Sequence, residues 1–258
     1  DLAHRYWAAT RDARAFDENF HTALIRFVGL LVTEQDHGNL SPYRFRTNWT
    51  EDDPPNNHVA PPRPTAKVGL LWSDSRPSDD RERFNFNIPQ NMFATVALTK
   101  LAELASTIFN DHELALRATN LSATVNTAIE TYGVFKGNLT LPQMYAFEVD
   151  GFGNQVLMDD ANMPNLLSIP YMVCIPTYPN SAAHFSHCLA SHRVAAAAAA
   201  AATTAAATAA ALQEYPDRLG LYQSTRKFVL TPQSHGDWCW QKPHLCHGNP
   251  YYFVGSAA

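Results

Sequence analysis

Two long helical patterns, parted only by Asn110-Asp111, constrain this chain more than any other feature. From Asn91 to Phe109, the residues Phe93, Val96, Ala97, Leu101, Leu104 and Ile108 recur at helical spacing and define one inward face. From His112 to Val134 the pattern resumes with Leu116, Ala123, Ile129 and Tyr132, and it stops near Gly133. Helices joined by so short a turn pack as an antiparallel hairpin. A third pattern, from about Phe16 to Glu34, sets Phe20, Leu24, Phe27, Val28 and Leu31 on one face behind a capping Asp17. Strand-like alternation is confined to Met144 to Asn154, so a mostly α architecture built from helical hairpins is expected.

The segments between these patterns are less regular. Ser41 to Thr65 is rich in Pro, Asn and Asp, carries Tyr43, Phe45 and Trp49, and reads as a long loop of the kind that bears function. Met158 to Pro164 leads into a helix expected over Asn165 to Met172, stopped by Pro170 or Pro176. Residues 181–212 are dominated by alanine and residues 234–248 by unusual Cys/His content, and both read as insertions in a single domain covering 1–258. A net charge of −5 draws the chain to neither nucleic acid nor anionic membrane, and no apolar run is suited to span a bilayer. The first residues do not form a signal peptide, and the absence of an initial Met suggests a piece of something longer. Four acceptor patterns for N-glycosylation, at Asn39, Asn48, Asn120 and Asn138, point toward the secretory pathway or the cell exterior. Compartment and oligomeric state stay open.

The chemistry gathers around Gly69 to Phe93, where an apolar run ends in Trp72 and a loop packs Arg76 beside Asp79 and Asp80. Neighbouring carboxylates repel, so at least one must be paired, solvated or kept protonated. Further carboxylates stand at the ends of expected elements: Glu148 and Asp150, and Asp159 and Asp160. Cleaving a glycosidic bond requires two carboxyl groups held in different protonation states, with an aromatic face for the sugar. The same residues also suit helix caps and ion pairs. A rival cluster joins His184, His187, Cys188 and His192 to Cys239, His244, Cys246 and His247; its spacing matches no standard finger or ribbon. Gly151-Phe152-Gly153 lacks the third glycine of a dinucleotide loop.

Trp72-Ser73, Arg76-Pro77-Ser78-Asp79-Asp80 and Ile88-Pro89-Gln90-Asn91-Met92-Phe93 together resemble the central motif of glycoside hydrolase family 125. Glu148 to Asn154, Met158 to Asn162 and Asn249 to Phe253 resemble further blocks in the family's order. Glu34-Gln35, Ser41 to Phe45 and Thr225 to Leu230 fit as well. The resemblance implies an (α/α)6 barrel, incomplete in this chain, and an exo-acting, inverting α-1,6-mannosidase that uses no cofactor and no metal. It assigns the general acid to Asp79 or Asp80, and substrate contacts to Trp72, Arg76, Tyr43, Asn91, Asp150, Phe152, Asp159, Asp160 and Asn162. The expected partner is a mannose-containing oligosaccharide, a mannoside or an N-glycan-type chain. The general base, a glutamate, is expected C-terminal to residue 258, and a Trp-Leu-Arg-Asp-Ser block N-terminal to residue 1. The chain is therefore read as a central-to-C-terminal portion of the enzyme. Asp74 and Ser75 replace a usual glycine and aromatic, and Arg81-Glu82-Arg83 a less charged run. The alternatives are a carbohydrate-binding fragment without turnover and a zinc-stabilised interaction module.

Overall fold

The computed structural model describes residues 1–43, 64–160, 162–172, 218 and 220–230, together with the backbone strand Phe253–Val254. The alanine tract, the Cys/His cluster, Asn48 and most of the long loop after Tyr43 lie outside the described residues.

Helix formation follows the local chemistry closely. After α1 (Leu2–Thr10), the Asp17 side chain accepts from the Phe20 amide and starts α2 (Glu18–Glu34), which is followed by the short α3 (His37–Leu40). The Asn87 side chain accepts from the Gln90 amide at 3.0 Å and starts α4 (Ile88–Ile108). Pro89 sits in its first turn, where no amide hydrogen is needed. α4 thus begins three residues before the apolar pattern suggests. Asp111 caps α5 (His112–Tyr132) in the same way, through the Leu114 amide at 2.8 Å.

α4 and α5 form the expected hairpin. Ile88, Met92, Leu98, Leu101 and Ala105 share one core with Leu114, Ala118, Leu121, Val125 and Ile129. The buried face of α4 is wider than its periodicity indicates: Phe93, Ala97 and Ile108 are only half-buried, while Asn91 and Thr95 are buried. On α2, Val28 is fully buried but Phe27 is exposed, because the helix touches the core along a single narrow stripe.

Strands are more prominent than expected, though each is short. β1 (Phe86–Asn87), β4 (Glu148–Val149), β5 (Gln155–Val156) and β6 (Phe253–Val254) form an antiparallel sheet in the order β1-β4-β5-β6. β2 (Val134–Phe135) and β3 (Met144–Tyr145) make a separate pair. The segment expected as one helix from Asn165 to Met172 is a 3-10 turn, Leu166–Ser168, running into α6 (Ile169–Met172). Asn165 and Ser168 cap each other reciprocally, and Pro170 lies within the first turn of α6 rather than ending it. Residues 220–230 are helical and bring Leu221, Tyr222, Phe228 and Val229 into the core. Gly69 passes so close to α5 that a Cβ would meet Thr124 Cγ2 at 3.1 Å, and its φ of +91° favours glycine there.

Candidate active site

Between Trp72 and β1 the chain folds back on itself in two arms. The Ser73 amide donates to Asn85 O at 3.0 Å, the Glu82 amide donates to Asp74 O at 3.0 Å, and Ser75 bridges Arg81. Gln90, in the first turn of α4, donates to Ser75 O at 3.1 Å and fixes one arm to the helix. The tip, Arg76 to Asp80, is closed by the Arg76 amide donating to Asp80 O at 2.8 Å and the Asp79 amide donating to Arg76 O. Asp79 takes a left-handed φ of +69°, which aspartate tolerates better than most residues. The side chains of Asp79 and Asp80 are both exposed.

Beneath this tip lies an unusual density of buried charge. Arg76 Nε donates to Glu148 Oε1 at 2.6 Å, and the amides of Arg83 and Phe84 donate to Glu148 Oε2 at 2.8 and 3.1 Å. Glu148 is fully buried and therefore depends on those three donors. Burial opposes the charge on Arg76, but Glu148, aided by Glu82 and Asp160, holds the guanidinium above its ordinary range. The Arg76 guanidinium carbon also lies 5.6 Å from the centre of the Phe147 ring. Glu82 is buried, accepts from the Ser73 hydroxyl at 2.6 Å, and has no hydrogen bond at Oε2 among the described residues. Burial first, and then Glu148, push its carboxyl well above the usual range, against the Ser73 hydroxyl and Arg76. Asp74 and Arg81, two of the departures from the resembled pattern, meet as a buried ion pair at 3.0 Å.

A second segment reaches the tip from β5. The Ser78 hydroxyl donates to Asp160 Oδ2 at 2.6 Å and lies 3.4 Å from Asp80 Oδ2. Asp160 also accepts from the Asn162 amide at 3.0 Å. Arg76, Asp79, Asp80, Asp160 and Asn162 are thus brought to one neighbourhood. Asp159 is turned the other way: it accepts from the amides of Leu166 and Leu167, and burial pushes its carboxyl up to about 7 against those two bonds. Asp150 is engaged in the β4–β5 turn, accepting from the Phe152 and Asn154 amides, with the Phe152 ring exposed on that turn. Asn91 clamps Leu71, accepting from its amide at 2.7 Å and donating to its carbonyl at 3.0 Å. Trp72 is buried, and His37 covers one face of its indole at a centroid distance of 3.5 Å. His37 in turn shares Glu34 with the Ser41 hydroxyl. Tyr43 is exposed beyond that cluster.

Sequence reasoning gave Ser78 no role beyond its place in the motif, named Asp74, Arg81 and Glu82 only as departures from it, and weighed Glu148 only as a carboxylate. A charged run enclosed by Leu70-Leu71-Trp72 on one side and Phe84-Asn85-Phe86 on the other was the available signal of burial. The tip can present carboxyl groups to a ligand while its base stays rigid. Among the described residues no group of His, Cys, Asp and Glu is placed to hold a metal ion, and no helix is long and apolar enough to cross a membrane.

The family model described as metal-independent alpha-mannosidase (GH125) matches residues 1–258. The meiotically up-regulated gene 157 protein of Schizosaccharomyces pombe is 28% identical over 194 residues, which cover 70% of this chain and 38% of that protein. A solved Streptococcus pneumoniae structure, described among metal-independent alpha mannosidases as a non-productive substrate complex with alpha-1,6-mannobiose, is 28% identical with a TM-score of 0.68. That match covers 92% of this chain and 47% of that one, so the chain spans less than half the length of either relative.

Proposed function

Because the chain belongs to the metal-independent α-mannosidases of glycoside hydrolase family 125, we propose that its tip loop is the acid side of an exo-acting, inverting α-1,6-mannosidase site. The observation that carries this reading is the contrast within one short loop. Two exposed carboxyl groups, Asp79 and Asp80, stand on a base fixed by the Arg76–Glu148 ion pair and the Ser78–Asp160 hydrogen bond. Rigid support of a reacting group lowers the cost of reaching the reactive geometry.

In this account one of the two aspartates gives its proton to the glycosidic oxygen as the bond to the anomeric carbon breaks. A second carboxylate takes a proton from the water that attacks the opposite face, which places the two carboxyl groups about 6.5–9.5 Å apart. The resemblance assigns that base to a glutamate C-terminal to residue 258. Arg76, at the start of the tip, and Asp160, which borders it, suit hydroxyl recognition, and the exposed rings of Tyr43 and Phe152 suit stacking on a sugar face. The bound mannoside in the Streptococcus pneumoniae relative supports a mannose-terminated, α-1,6-linked oligosaccharide as substrate.

The test is proton NMR of the full-length protein incubated with α-1,6-mannobiose. Release of mannose as the β anomer, before mutarotation, supports the proposal. Release of the α anomer would overturn inversion, and binding without release would leave a carbohydrate-binding module.

A further inference from the structure

The structure assigns Asn138 as an N-glycosylation site, a reading independent of the mannosidase proposal. Four acceptor patterns occur in the chain, and the fold separates the three that lie among the described residues. Asn138 occupies the turn between β2 and β3, where Asn138, Leu139 and Thr140 are all exposed. Its Oδ1 accepts from the Thr140 amide and hydroxyl, each at 2.9 Å, and from the Leu141 amide at 2.8 Å. Its Nδ2, the atom that is glycosylated, makes no hydrogen bond among the described residues. The turn is tight: Gly137 has a φ of +82°, and a Cβ there would meet Gln143 N at 3.1 Å. Every bond that shapes the turn uses Oδ1 or the main chain, so a substituent on Nδ2 breaks none of them.

The other two sites are committed elsewhere. Asn39 donates through Nδ2 to Asp36 at 2.7 Å, and Ser41, its acceptor-pattern hydroxyl, is buried against Glu34. Asn120 lies mid-way along α5, and the Ser122 hydroxyl donates to Thr95 O across the α4–α5 hairpin at 2.9 Å. Using either site asks the chain to give up bonds that its fold already makes.

The step is a substitution at an anomeric carbon. Asn138 Nδ2 loses a proton and bonds to the first sugar of a lipid-pyrophosphate-linked oligosaccharide, and the lipid pyrophosphate leaves with the electrons of the broken sugar–oxygen bond. The donor and its transferase belong to the secretory pathway.

The experiment is to express the protein behind a secretion leader in a eukaryotic cell line. Glycans are removed enzymatically in 18O water, and the peptides spanning Asn39, Asn120 and Asn138 are read by mass spectrometry. Heavy-oxygen conversion of Asn138 to Asp, with Asn39 and Asn120 left light, is the expected result. Asn138→Gln and Thr140→Ala each remove one glycan-sized step in gel mobility, while Thr140→Ser keeps the hydroxyl and the step. A light Asn138, or label at Asn120 or Asn39 in preference to it, overturns the assignment.

Discussion

Between α4 and α5 most buried side chains are apolar, whereas the two-armed loop that α4 carries buries Asp74, Arg81, Glu82 and Asn85 over Glu148. The hairpin gains from removing apolar surface from water, a non-directional effect that tolerates small shifts. The loop relies on charge pairs and directed hydrogen bonds, which hold one geometry and fail abruptly when a partner is lost. A site that must hold an acid in place is better served by the second kind of support.

The largest effect should come from breaking the loop's central pair. Arg76→Leu leaves Glu148 charged and buried without its cation, and should cost about 3–5 kcal/mol in urea unfolding. Adding Glu148→Gln, which removes the buried charge and can still accept from the Arg83 and Phe84 amides, should recover part of that loss. In the hairpin, Leu98→Ala should cost about 2–5 kcal/mol, and no second polar change should rescue it. If the two losses respond alike to a second substitution, the distinction between the regions is wrong.

The two regions also differ in how readily sequence discloses them. The helices were readable because a cap residue and a repeating apolar face are local signals, and Asp17 and Asp111 stand where those signals place them. The extra turn at the start of α4 escaped because Ile88 and Pro89 look like loop until Asn87 is seen as a cap. The contacts at the tip were not local at all. Arg76 meets Glu148 across 72 positions, and Ser78 meets Asp160 across 82, so no spacing rule links them. The apposition of Asp74 and Arg81 was half-legible, since both broke the resembled pattern within one short stretch, but only the folded arms pair them.

Titration sharpens the same comparison at intermediate size. Asp159, at about 7, and Glu82 both bind protons more tightly in the folded chain than in the unfolded one. The unfolded carboxyls release their protons near pH 4, while folded Asp159 keeps its own up to about 7, so stability falls as pH rises through that window. Denaturant midpoints should therefore be higher at pH 5 than at pH 8 from these groups. Glu82→Gln, which can still accept from Ser73, should flatten part of that slope; an unchanged slope would show that the Glu82 carboxyl is not raised on folding.

The smallest effect belongs to a hairpin cap. Asp111→Ala removes the bond to the Leu114 amide and the contact with His21, and should cost about 0.5–2 kcal/mol by thermal or urea unfolding. Activity should survive it, because nothing in the tip depends on that turn.

The most direct test compares kcat/KM for α-1,6-mannobiose in Asp79→Asn and Asp80→Asn variants of the full-length protein. One of the two variants should lose about 10²–10⁴-fold, the contribution of a proton donor, with stability near that of the parent. Wild-type rates in both variants would contradict the claim that this loop carries the acid.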